Sequence, residues 1–107
     1  MSSLASRKCE SCGPDTKPLD SEGVAALLAE LGDTWKVEES KLTREFKFGN
    51  FRDAFGMATK VALLAEEEGH HPDFEVGWGR LALVLTTHAA KGLTDNDFIM
   101  AAKIDKL

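Results

Sequence analysis

The apolar residues of this chain switch repeatedly between helical and strand spacing. That switching constrains the fold more than any other feature. Val24, Leu27, Leu28 and Leu31 recur every three or four residues, the stripe of one amphipathic helix. Asp20 or Ser21 suits its N-cap, and Gly32 stands where a left-handed residue closes it. Trp35–Val37 and Leu42–Phe48 then read as two strands around a polar turn at Glu38–Lys41. Leu42, Phe46 and Phe48 share one parity, and Arg44 interrupts it, as at an edge or salt-bridged position. Helical spacing returns in Ala54, Phe55, Ala58, Val61, Ala62 and Ala65, behind a cap at Asn50 with Asp53 three residues on. Gly69 and Pro72 end that helix. Phe74, Val76 and Trp78 alternate with Glu75 and Gly77, Gly79–Arg80 fits a turn, and Leu81–Thr87 begins apolar on both parities. Thr94 opens a last helix with Phe98, Ile99, Ala102 and Ile104 inward.

The order α-β-β-α-β-β-α predicts an α+β fold, a four-stranded antiparallel sheet with helices packed on one face. The two-sided apolar character of Leu81–Leu85 predicts that a partner subunit covers the other face, in a homodimer or homotetramer. The 107 residues make one domain. Residues 20–107 form its body. Residues 1–19 hold Cys9, Cys12 and two of the three prolines, and read as a mobile arm.

Composition narrows the function. Hydrophobic residues at 43% and charged residues at 29% suit a soluble globule and not a disordered chain. The longest apolar run, Leu81–Leu85, is far shorter than the ~20 residues of a membrane span. A net charge of −5 gives no footprint for a nucleic-acid backbone. No secretory apolar region is visible and cysteine is scarce, so the expected compartment is the cytoplasm.

All three histidines fall between residues 70 and 88. His70 and His71 stand at a helix-to-strand corner held by Pro72, and an antiparallel hairpin through Phe74–Trp78 and Leu81–Thr87 returns His88 to it. Glu66 precedes His70 by four residues, the spacing of one helix face. A carboxylate there can orient the imidazole, as an aspartate does in hydrolytic triads. Asp97 lies in the first turn of the last helix. Imidazoles with carboxylates, and no nucleophilic Cys or Ser beside them, point to acid–base chemistry.

Each feature has a plainer reading. A histidine at a helix end serves as a capping cation. Glu66 belongs to a solvated run of three glutamates, Thr94 and Asp97 make a capping box, and Phe74 and Trp78 suit a core or interface. Cys9-Glu-Ser-Cys12 is half of a zinc site at most, with only the histidines to complete it. It also lacks the strand-to-helix setting of a redox pair. No motif for a cofactor is present.

The stretch from Phe46-Lys-Phe-Gly-Asn-Phe-Arg-Asp-Ala-Phe-Gly-Met through Val61-Ala-Leu-Leu-Ala-Glu66 resembles the pterin-4a-carbinolamine dehydratases. The specific part is Glu66-x-x-x-His70-His71-Pro72, Trp78, Thr87-His88 and Asp97, and the likeness extends over about 19–107. The resemblance implies a compact α+β fold. It also implies dehydration of a 4a-hydroxytetrahydropterin to a quinonoid dihydropterin, the step that regenerates tetrahydrobiopterin for aromatic amino-acid hydroxylases. His70, His71 and His88 match the family's functional histidines, Glu66 and Asp97 its supporting acids. Phe74 stands where some members carry Trp, keeping an aromatic wall without the indole N–H, and Trp78 is a second candidate for pterin contact. The expected division gives proton transfer to His70 and His88, and substrate positioning mainly to His71, with neither metal nor cofactor. Some members also bind a homeodomain transcription factor. The alternatives are therefore a dimerisation module and a pterin-binding protein of another pathway.

Overall fold

The computed structural model describes residues 4–10, 13 and 15–107. Helix α1 (Ser21–Leu31) starts at Asp20, whose carboxylate accepts the Gly23 N–H at 2.7 Å. Strands β1 (Lys36–Glu38) and β2 (Lys41–Lys47) meet at Glu39–Ser40, both at positive φ. Helix α2 (Phe51–Glu68) is capped by Asn50, which accepts the Asp53 N–H at 2.7 Å, and is closed by a left-handed Gly69. Strands β3 (Asp73–Gly77) and β4 (Arg80–Leu85) follow, then α3 (Asp95–Ile104). The sheet order is β1-β2-β4-β3, every pair antiparallel. This is the expected α+β architecture.

The register sets the two sheet faces. Leu42 opposes Leu85, Phe46 and Val76 flank Leu81, and Phe74 opposes Leu83. These side chains form the helix side and pack with Ala58, Val61 and Ala65 of α2 and Phe98 of α3. The small alanines let α2 approach the sheet closely. On the other side, Ala82 and Val84 stand among Thr43, Glu45, Asp73 and Glu75. The second apolar parity of β4 is thus two residues wide and gives no argument for a partner on that face. Exposed apolar side chains lie elsewhere: Phe51, Phe55 and Leu63 on α2, and Trp78.

Several boundaries move by one residue. Trp35 precedes β1, buried, with its indole N–H donating to Asp105 at 2.8 Å. Arg44 pairs with the same carboxylate and lies over the Phe46 ring at 4.1 Å, so β2 tolerates its charge while pairing on both edges. The β3–β4 turn is Trp78–Gly79 instead of Gly79–Arg80. Gly79 has φ +68°, and a Cβ there would meet the Phe48 carbonyl oxygen at 2.8 Å.

The largest departure is at the lead-in. Residues 4–10 lie along α3. Leu4 is buried, Arg7 pairs with Asp95 at 2.7 Å, and Lys103 donates to the Ala5 carbonyl at 3.0 Å. Phe98, Ile99, Met100, Ala101 and Ile104 are consequently all buried, which no one-sided packing of a helix achieves. Cys12 lies outside the described residues. No described helix is long and apolar enough to cross a membrane.

Candidate active site

A cavity of about 280 Å³ opens where α2 ends, β4 ends and α3 begins. His70, His71 and His88 all line it, with Thr86, Thr87, Asn96 and Glu10. The hairpin geometry predicted this meeting: pairing of Asp73 with Val84 returns the chain beyond β4 to the corner before β3. His88 starts a short 3-10 turn, His88–Ala90, and is exposed.

The carboxylate partners differ from the expected ones. Helical spacing would put Glu66 beside His70. Gly69, however, leaves the helix in the left-handed region, so His70 is off the α2 register. Its ring turns to α3, where Nε2 lies 2.6 Å from Asp97 Oδ1. Glu66 instead contacts His71 Nε2, with both side chains mostly exposed.

Asp97 is fully buried. Its Oδ2 accepts the Thr87 hydroxyl at 2.8 Å and the Thr94 backbone N–H at 2.9 Å. The capping box therefore exists, and it does not exhaust the residue. With Oδ2 doubly occupied, Oδ1 is directed at His70. An ionised carboxylate only accepts, so a neutral ring in this position would donate through Nε2 and keep its lone pair on Nδ1. An aspartate–imidazole contact of this kind holds one ring orientation and tautomer.

Neither expected aromatic belongs to the cavity lining. Phe74 faces the helix side opposite Leu83 and packs on the core. Trp78 occupies the hairpin turn, five residues of β3 away from the histidine corner, about 17 Å along a strand. Sequence reasoning missed Thr87 as a partner of Asp97. It also missed Asn96 and Glu10, the latter because the lead-in was separated from the body. Among the described residues, no three His, Cys, Asp or Glu side chains gather as a metal site. Burial, then the nearby Glu68 carboxylate, pushes the Cys9 thiol up to about 12, so it is protonated at neutral pH.

The class the fold and cavity define is an α+β domain with three histidines in one cavity, one of them bound to a buried aspartate. The family model described as pterin 4 alpha carbinolamine dehydratase matches residues 17–107. A protein of Alkaliphilus metalliredigens, named "Putative pterin-4-alpha-carbinolamine dehydratase", is 43% identical over 107 residues, 99% of this chain and 96% of its own. A Rubrobacter xylanophilus protein of the same name is 43% identical over the full length of both. A crystal structure described as a transcriptional coactivator/pterin dehydratase from Brucella melitensis superposes with TM-score 0.78 at 34% identity, covering 84% of this chain and 97% of that one. A pterin dehydratase-like RuBisCO assembly factor shares the fold, with TM-score 0.58 at 22% identity and coverage of 71% and 90%. The chain belongs to the pterin-4a-carbinolamine dehydratase family.

Proposed function

We propose that this protein dehydrates a 4a-hydroxytetrahydropterin to the quinonoid dihydropterin by histidine acid–base catalysis without a metal, as a step in tetrahydrobiopterin regeneration. The observation that carries the reading is the meeting of His70, His71 and His88 in one cavity, with His70 held by a buried Asp97. The cavity, about 280 Å³, falls just below the roughly 300–1,000 Å³ of small-molecule sites, and a small ring system suits it.

The reaction needs two proton movements. The N5 lone pair expels the C4a hydroxyl, which leaves as water after taking a proton, and N5 gives up its own proton. His70, with Nδ1 unprotonated, is suited to accept the N5 proton. His88, exposed at the cavity rim, is suited to donate to the departing hydroxyl. His71, steadied by Glu66, holds the ring. Imidazole serves both directions because its ordinary titration lies near neutral pH.

The test is the rate of carbinolamine disappearance with purified, chelator-treated protein. Acceleration that survives chelation supports the reading. Loss of rate on chelation, restored by zinc, contradicts the metal-free part. Absence of any acceleration contradicts the whole.

A further inference from the structure

Two consecutive lead-in residues touch both helix ends that carry the His70–Asp97 pair. At the end of α2, the Cys9 N–H donates to Glu68 Oε1 at 3.0 Å. Glu68 is nearly buried, two residues before His70, and Lys103 of α3 lies 3.7 Å from its other oxygen. At the start of α3, the Glu10 N–H donates to Asn96 Oδ1 at 2.9 Å, and Asn96 Nδ2 donates to the Glu10 carbonyl at 2.7 Å. The Cys9 thiol adds a contact to the Asn96 carbonyl at 3.7 Å. Asn96 is 6% exposed and adjoins Asp97. The side chain that grips the lead-in and the side chain that holds His70 are therefore neighbours on one turn of α3.

This connection is stiff. Cys9 and Glu10 are joined by one planar peptide, with Cα atoms about 3.8 Å apart. The two helix ends are thus held within the reach of a single residue. His70 and Asp97 come from separate elements and meet in one contact of 2.6 Å. Gly69 turns the chain out of α2 before His70, so the helix alone does not set the distance of the ring from α3. A hydrogen bond weakens steeply with misalignment, and a tie that touches both helix ends keeps this one in line.

We propose that Cys9–Glu10 braces α2 against α3, and that its anchors, Glu68 and Asn96, are positioning residues for the His70–Asp97 pair. The proposal rests on the acid–base reading of His70 above. The brace precedes residue 17, where the match to the family model begins. Asn96 also lines the histidine cavity, whereas Glu68 does not, so variants of Glu68 read the brace without altering the cavity wall.

The experiment compares Glu68→Ala, Glu68→Gln and Asn96→Ala with the wild type, all as the full chain. Ile104→Ala, in the core at the last turn of α3, serves as a destabilised control. The measurements are kcat and KM for dehydration, melting temperature, and the ¹⁵N imidazole shifts of His70 in the substrate-free protein. Glu68→Ala and Asn96→Ala should lower kcat by up to about 10²-fold, the cost of a misplacement of about 1 Å. KM should change little in Glu68→Ala, and the His70 shifts should move toward those of free histidine at the same pH. Glu68→Gln keeps an acceptor for the Cys9 N–H and should restore most of kcat and of the shifts. Ile104→Ala should melt earlier with both unchanged. Native kcat and native His70 shifts in a folded Glu68→Ala protein overturn the proposal. So does an Ile104→Ala protein with the same kinetic and spectral losses, which marks general loosening. Should Glu68→Ala fail to fold, the His70 shifts of Asn96→Ala decide in the same way. A wild type that does not dehydrate the pterin, with His70 shifts that still respond to Glu68→Ala, overturns the pterin reading and supports the brace.

Discussion

Replacing Asp97 by Asn separates its capping role from its action on His70. The carboxylate accepts from three donors: the His70 ring, the Thr87 hydroxyl and the Thr94 N–H. An amide offers one acceptor and two donors. Its oxygen keeps Thr87 and Thr94, so its NH₂ faces His70 Nε2, which must then present a lone pair. The ring proton moves to Nδ1, the nitrogen meant to accept a proton from substrate. The variant should lose about 10²–10⁴-fold in kcat, the usual share of one positioned acid–base group. That is about 3 to 5 kcal/mol of barrier. Stability should fall far less, because every buried donor keeps a partner and only charge assistance is lost, about 1 kcal/mol. For a domain of this size that is about 4 °C in Tm. Stopped-flow dehydration, thermal melts and ¹⁵N spectra of the imidazoles read the three effects separately. A folded Asp97→Asn protein with near-native kcat, or with His70 still protonated on Nε2, would refute the reasoning.

Three further outcomes follow from the same geometry. His88→Ala should lower kcat and leave Tm unchanged, since the residue is exposed; a Tm loss without a kinetic one would make His88 structural. Cys9 is protonated in the fold up to about 12 against an ordinary 9.0, so its contribution is complete below pH 9 and is lost as pH rises through 12. In a Cys12→Ser background, iodoacetamide at pH 9 should therefore modify the native protein more slowly than the urea-unfolded chain, and equal rates would contradict the raised thiol of the half-buried Cys9. The expected homo-oligomer would use α2 as its contact surface, where Phe55 is 55% and Leu63 is 67% exposed. Phe55→Glu should shift sedimentation toward monomer, and a wild type already monomeric at micromolar concentration would remove that assignment.

The element order was legible because each element carries its own period and its own punctuation. Asp20, Asn50 and Gly69 cap where their chemistry says they should. The convergence of the three histidines was legible too, since an antiparallel hairpin must return to its origin. Pairings across a helix end were not. The i to i+4 rule assigned Glu66 to His70, but the rule holds only inside a helix, and Gly69 ends α2 before His70 is reached. The docking of the lead-in had a signal that a one-face reading passes over. Phe98-Ile99-Met100-Ala101 is apolar around the whole circumference of a helix, which requires cover on two sides. The sheet supplies one cover, and Leu4 with its neighbours supplies the other. Trp78 was misplaced for a different reason: alternation continued through it, and only the steric demand at Gly79 shows that the turn had begun.

The central claim is that His70 and His88 move the protons of one dehydration as a unit. The most direct measurement is the single-turnover rate of a 4a-hydroxytetrahydropterin with wild type, His70→Ala, His88→Ala and the double variant, each verified folded by melting. The account predicts acceleration by wild type, a large loss in each single variant, and a double loss smaller than the product of the two. Single variants that accelerate as the wild type does would contradict it.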